Sequence, residues 1–191
     1  MEILQNEVVK LVPIDSSHIE GIFKAAADPR IWEHMSVELL RMENVIKYVE
    51  DGIKKREAQT DFVFVIIDQS TGEIVGATSY MDISFQHKRL EIGSTWLNPS
   101  VWRTKINTNC KYLLLKYGFE QLGLNRIQIK TGHENIRSQK AIERIGAVKE
   151  GILRNHIIRK EGIIRHTVMY SIIVEEWDEV KERFEKVLLK S

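Results

Sequence analysis

Two short polar stretches carry residue types suited to holding phosphate. The first is Trp102-Arg103-Thr104-Lys105-Ile106-Asn107-Thr108 and the second is Asn135-Ile136-Arg137-Ser138-Gln139-Lys140-Ala141. Each falls where a strand-like apolar pattern gives way to a helical one, so each is a helix mouth. The first turn of a helix leaves backbone N–H groups unpaired and carries about half a positive charge. Arg103 and Lys105 add two full charges to the first mouth. Two such mouths in one chain predict a long phosphorylated ligand.

The elements that position these mouths can be read from periodicity and breakers. Leu90 to Leu97 forms a strand ended by Asn98-Pro99, and Ile106 to Leu122 a helix with Cys110, Leu113, Leu114 and Tyr117 inward and Gly123 just past its end. Arg126 to Thr131 alternates as a strand, and Asn135 opens a helix carrying Ala141, Ile142 and Ile145, followed by Gly146. A strand, helix, strand order of this kind places the two strands parallel and adjacent. Upstream, residues 6 to 14 read as a first strand, and Asp15-Ser16-Ser17 caps a helix running through Ala27. A second helix over 42 to 57 carries Val45, Ile46, Val49 and Ile53 on one face. Phe62 to Asp68 and Ile74 to Asp82 make a hairpin about Gln69-Ser70-Thr71-Gly72. Downstream, Leu153 to Arg159 and Ile163 to Ile173 form a hairpin about Lys160-Glu161-Gly162. A last helix from Glu175 buries Trp177, Val180, Phe184 and Val187. The expectation is one α+β domain over residues 1 to 191.

Composition narrows the function classes. A net charge of +1 gives no global attraction to nucleic acid, so any basic site is local. The start has no cationic segment ahead of an apolar run, and no apolar run approaches the ~20 residues that span a bilayer. Neither a membrane nor a nucleic-acid partner is expected. The single cysteine, Cys110, excludes an intrachain disulfide, and no metal-ligand spacing is present. No nucleophile-elbow or Walker-type motif occurs. A cytoplasmic protein without metal or covalent chemistry is expected.

In the order and spacing of its motifs the chain resembles the GNAT acyl-CoA N-acyltransferases, and within them the RimJ/RimL-type ribosomal-protein N-terminal acetyltransferases. The likeness rests on Leu90-Glu91-Ile92-Gly93 leading to Trp96-Leu97-Asn98-Pro99, the loop and helix from Arg103, and Gly123-Leu124-Asn125-Arg126-Ile127. It continues in Asn135-x-x-Ser138-x-x-Ala141 and Gly146-Ala147-Val148-Lys149-Glu150-Gly151, with Asp28-Pro29-Arg30-Ile31-Trp32 near the start. The resemblance implies the GNAT fold, a mixed, mostly antiparallel sheet of about seven strands flanked by helices. It implies acetyl-CoA as co-substrate, an amine acceptor that is a protein N-terminus or a small molecule, and pairing into homodimers. One departure stands out: the superfamily's loop pattern Arg/Gln-x-x-Gly-x-Gly/Ala, begun at Arg103, puts Ile106 and Thr108 where glycines bring backbone close to phosphate.

The resemblance also assigns roles. Arg103, Thr104, Lys105, Ile106, Asn107 and Thr108 would hold the pyrophosphate, Thr108 adding a hydroxyl. Leu97 and Asn135 would meet the pantetheine arm, and Lys140 an adenosine phosphate. Ser138 matches the residue that protonates the departing thiolate, or else serves as a helix cap. Glu91 is the candidate general base, with an ion pair or a surface position as the alternative. A further glutamate of the Rim-type enzymes falls at Ile157 here, leaving His156 and His166 as candidate base or substrate contacts. Trp32 and His34, with Met35, occupy the acceptor segment between the first two helices, and Trp96 adds an aromatic wall near Glu91. Trp32 could equally belong to the core.

Magnitude separates the acceptor amines. An α-amine with pKa about 8 is roughly a tenth neutral at pH 7, costing about 1.2 kcal/mol, whereas a lysine-like amine near 10.4 costs about 4.6 kcal/mol. A modest base therefore suits an α-amine. A rival expectation is a non-catalytic acyl-CoA-binding module, motivated by the missing glycines and the missing second glutamate.

Overall fold

The computed structural model describes residues 2–35, 37–159 and 162–190. The chain builds, in order, β1 (Leu4–Gln5), β2 (Val9–Pro13), α1 (Ile19–Ala25), α2 (Met42–Glu57), β3 (Phe62–Asp68), β4 (Ile74–Ser84) and β5 (Arg89–Leu97). There follow α3 (Ile106–Lys116), β6 (Arg126–Gly132), α4 (Ile136–Arg144), β7 (Val148–Ile158), β8 (Ile164–Ile173) and α5 (Trp177–Arg183). The strands form one sheet in the order β1-β2-β3-β4-β5-β6-β8-β7. Every neighbouring pair is antiparallel except β5 and β6, as the strand, helix, strand order required.

Alternation along the strands splits the core into two layers. Leu90, Ile92, Ile127, Ile129 and Tyr170 face α3, α4 and α5, against Cys110, Leu114, Ile142 and Phe184. Val63, Val65, Ala77 and Trp96 face α1 and α2, against Ile22, Val45 and Val49. Full burial of one such Leu or Ile stabilises by about 1.5–3 kcal/mol. The Tyr80 hydroxyl donates to the Leu114 carbonyl at 2.5 Å, fixing α3 on the sheet.

Several expectations change in detail. Residues 6 to 14 are not one strand: Asn6 Oδ1 accepts from Val8 N and Val9 N and turns the chain, so Leu4 pairs with Leu11. This hairpin raises the strand number to eight. β7 starts at Val148, five residues before the expected Leu153, because bulges let it follow β8 from Ser171 onward. In α2, Ile46 is exposed, and in the last helix Val187 is exposed while Leu188 is buried. There a π-helical turn over Phe184–Leu188 widens the spiral and shifts its phase. The turn predicted at Lys160-Glu161-Gly162 falls mainly outside the described residues, although Arg159 N still donates to Ile163 O.

One bulge and one parting of strands in β5's pairing matter for function. Between Gly93↔Ser79 and Trp96↔Ala77, Ser94 and Thr95 oppose Thr78 alone. Ser94 takes φ +47, a left-handed conformation that favours glycine. β5 pairs with β6 only from Arg89↔Arg126 to Glu91↔Gln128. Beyond Glu91 the two parallel strands splay.

Candidate active site

The splay between β5 and β6 is flanked by both predicted helix mouths. On one side Asn98 Oδ1 caps the short turn Pro99–Val101, which delivers Trp102 and Arg103 to α3. Arg103 sits at φ +64 with its side chain in solvent, as do Thr104 and Lys105. The Thr104 hydroxyl donates to Val101 O at 2.7 Å and accepts from Ile106 N at 3.3 Å, so its role here is to hold the loop. On the other side Asn135 Oδ1 accepts from Ser138 N at 3.0 Å and caps α4. The Ser138 hydroxyl is half-buried and forms no hydrogen bond with the described residues.

The non-glycine positions of the loop are explained by packing. Ile106 is 4% exposed and belongs to the core, and Thr108 is 3% exposed. Thr108 Oγ1 accepts from Arg144 Nη2 at 2.6 Å and joins α3 to α4. Both side chains point inward, away from the loop, which leaves the Asn107 and Thr108 N–H groups of the first turn clear. This corrects the expectation that the Thr108 hydroxyl lends a donor to the phosphate, and it accounts for the absence of glycine at both positions. Arg103, Lys105 and Lys140 are exposed and have no carboxylate partner among the described residues.

A bridge across the two mouths was not legible in the sequence. The Trp102 indole donates to Leu97 O at 2.8 Å. Its ring is flanked by the Arg137 guanidinium at 4.4 Å and by Arg30 at 5.7 Å. Stacking of this kind contributes about 0.5–2 kcal/mol per pair. It draws together the first turn of α4, the lead-in to α3 and the segment after α1. The Leu97 carbonyl, expected to meet the pantetheine arm, thus already accepts one hydrogen bond.

Glu91 lies where the strands part. It is 5% exposed, on the sheet face opposite Leu90 and Ile92. Glu91 Oε2 is 2.6 Å from Lys130 Nζ and accepts from Gln128 Nε2 at 3.2 Å. Of the alternatives left open by alternation, the surface position is excluded and the ion pair is realised. Lys130 and Gln128 share the face because β6 runs parallel beside β5, which pairs Glu91 with Gln128.

A cavity of about 390 Å³ opens between α2 and the strands, lined by residues that include Tyr48, Asp51, Ser94 and Met81, the partner of Glu91 across β4 and β5. The Tyr48 hydroxyl is buried without a well-formed hydrogen bond. Burial pushes its pKa up to about 12, outweighing the nearby Trp96 indole N–H, which is itself unpartnered. Trp32 and Trp96 are both in the core, their rings 5.4 Å apart, and Trp32 Nε1 donates to Ala26 O at 3.0 Å. That corrects the expectation that these two rings are open walls of an acceptor pocket. His34 is exposed and Met35 half-buried.

The histidines of the β7–β8 hairpin sit at a bulge. Three residues, Arg154, Asn155 and His156, oppose His166 alone, with Asn155 at φ +51. His166 Nδ1 accepts from Asn155 N at 2.8 Å, and its ring lies tilted against that of His133, with centroids 4.6 Å apart. His156 Nδ1 instead meets Thr167 Oγ1 at 3.0 Å and is exposed. Neither histidine hydrogen-bonds Glu91. His133, Lys130 and Arg165 belong to this region and carried no local motif.

The sequence model of the acetyltransferase (GNAT) domain matches residues 9–148, and the chain belongs to this family of N-acetyltransferases, which use acetyl-CoA. The uncharacterized N-acetyltransferase p20 of Bacillus licheniformis is 26% identical over 181 residues, 93% of this chain and 99% of its own. YdaF of Bacillus subtilis (strain 168), provisionally named a ribosomal N-acetyltransferase, is 31% identical over 107 residues, 56% of this chain and 57% of its own. A GCN5-related N-acetyltransferase from Brucella melitensis superposes with a TM-score of 0.90 at 26% identity, covering 97% of this chain and 85% of that one. The microcin C7 self-immunity acetyltransferase MccE, solved with acetyl-CoA and AMP, shares the fold at 20% identity and a TM-score of 0.79, covering 88% of this chain and 93% of its own. No helix among the described residues is long and apolar enough to cross a membrane.

Proposed function

We propose that the chain acetylates an α-amine, that of a protein N-terminus, with Glu91 as the group that receives the amine's proton. The observation carrying this reading is the buried Glu91 carboxylate at the parting of β5 and β6, held by Lys130 and Gln128 and paired across β4 and β5 with Met81, which lines the 390 Å³ cavity. Acetyl-CoA supplies the activated acetyl group as a thioester. Arg103, Lys105 and the free N–H groups of α3 attract its pyrophosphate, Lys140 an outer phosphate, and the splayed edge of β5 offers amide pairing to its arm.

The amine approaches from the α2 side. Its nitrogen lone pair forms the new C–N bond as the C–S bond breaks, the amine proton passes to Glu91, and the departing sulfur gains a proton. The free Ser138 hydroxyl is the donor we assign to that last step. A carboxylate already engaged by Lys130 does little to deprotonate a strongly basic amine, which favours the α-amine over a lysine side chain. The cavity lies at the small end of ligand pockets, ~300–1,000 Å³, and suits one terminal residue with its side chain. The ribosomal N-acetyltransferase name given to YdaF accords with a protein terminus, and a cytoplasmic site of action accords with a single buried cysteine. The inward packing of Ile106 and Thr108 accounts for the missing glycines, one of the two motives for a non-catalytic scaffold.

The test is thiol release from acetyl-CoA at pH 7 with three acceptors. These are a peptide with a free α-amine, the same peptide with a blocked terminus and one lysine, and a polyamine. The expected result is turnover of the first alone. Turnover of only the lysine peptide or the polyamine would overturn the reading.

A further inference from the structure

Beyond Glu91, the same sheet face continues over β6 and β8. Alternation from the buried Val168 and Tyr170 puts Arg165 and Thr167 on this side, and the Arg165 stem crosses Gly132, at the end of β6. A Cβ placed on that glycine would lie 3.2 Å from Arg165 Cδ. Arg165 Nη2 donates to Thr167 Oγ1 at 3.1 Å, but its Nε is buried and donates to nothing. Arg159 lies within electrostatic reach, and its Nη2 donates to the Glu33 carbonyl. Neither guanidinium has a carboxylate at ion-pair distance among the described residues. Lys130 differs, because Glu91 neutralises it.

Two guanidiniums within electrostatic reach of each other, one with a buried unpaired N–H, form an arrangement that an oxyanion completes. Burial and Arg159 both lower the Arg165 pKa, while Glu91 opposes them. A planar fork of N–H donors matches a carboxylate or phosphate better than an ammonium does.

We propose that Arg165, with Arg159 beside it, is an anion subsite for the acceptor, so that the amine meeting Glu91 is carried on a molecule with a nearby carboxylate or phosphate. This rests on the reading that the acceptor lies on the Glu91 side of the splay. In a peptide the anion is the side chain of the second residue.

The experiment measures kcat/KM for acceptors that differ only in charge. The α-amine set is Ala-Asp, Ala-phosphoserine and Ala-Asn peptides, and a parallel ε-amine pair is Nα-acetyl-lysine and its amide. The expected result is at least a tenfold preference for the anionic member. Arg165→Gln removes that preference and leaves the neutral acceptor and the KM for acetyl-CoA unchanged. The aspartate and phosphoserine arms decide which oxyanion fits. Preference for the anion within the ε-amine pair would keep the subsite and overturn the α-amine reading. Equal rates for charged and neutral acceptors, or an equal loss for both in Arg165→Gln, would overturn the subsite. Should no acceptor turn over, thermal unfolding of the acetyl-CoA-saturated protein with sulfate decides. Stabilisation that Arg165→Gln removes supports the subsite, and stabilisation that is absent or unchanged refutes it.

Discussion

Glu91→Gln separates a base from a merely structural acid, because the replacement keeps the volume and one acceptor oxygen while removing the charge. In the fold, Glu91 is 5% exposed, and its Oε2 is 2.6 Å from a lysine whose side chain is 27% exposed. Lys130 can turn toward water once its partner is neutral, so the loss falls between that of a surface pair and a buried one, about 1–2 kcal/mol. For a chain of this size that lowers Tm by roughly 3–6 °C and leaves the protein folded. Catalysis should suffer more. Losing a general base costs about 10²–10⁴ in kcat, and the remaining rate follows the neutral fraction of the amine. For an α-amine of pKa about 8, that fraction rises about tenfold between pH 7 and pH 9. The assay is steady-state thiol release across this range, with KM for acetyl-CoA as the control. The expected variant has an unchanged cofactor KM and a deficit that shrinks by about tenfold as pH rises. A variant within threefold of the parent at pH 7, or lowered by the same factor at every pH, would refute the assignment.

Further outcomes follow from the same geometry. Returning glycine to the loop should weaken the protein: Ile106→Gly removes a core side chain and should cost about 3–5 kcal/mol, read as a fall in Tm without a lower KM for acetyl-CoA. Ser138→Ala should lower kcat and leave Tm nearly unchanged, since Asn135 caps the backbone N–H and not the hydroxyl, whereas Asn135→Ala should cost about 1 kcal/mol in stability. Cys110 is buried and its thiol is pushed up to about 11 by that burial, so iodoacetamide should leave the native enzyme active and unlabelled. The Arg126 hydrogen bonds hold the Glu150 carboxyl below its ordinary 4.5. Its contribution is therefore complete above about pH 4.5 and is lost as pH falls through the lower folded value, so Glu150→Gln should flatten the acid limb of a Tm–pH curve.

The sequence by itself determined most of the elements and their order, because these follow from local period and local sterics. Gly123 and Gly146 end their helices at φ +61 and +96, and Asn135 caps as its type and place required. The parallel pairing of β5 and β6, and with it the position of both mouths, follows from the strand, helix, strand connection. Tertiary structure decided what each site residue faces. The bulge at Ser94 has no local signature, yet it resets the alternation that carries Trp96 into the core. Burial of Ile106 and Thr108 turned an apparent defect of the phosphate loop into a packing feature. Glu91 meets Lys130, Trp102 meets Arg30 and Arg137, and Arg165 crosses Gly132 only because separate strands and loops converge. A residue's period is set within a few positions of chain, but its charge partner is chosen by register across the sheet, which no short stretch of sequence encodes.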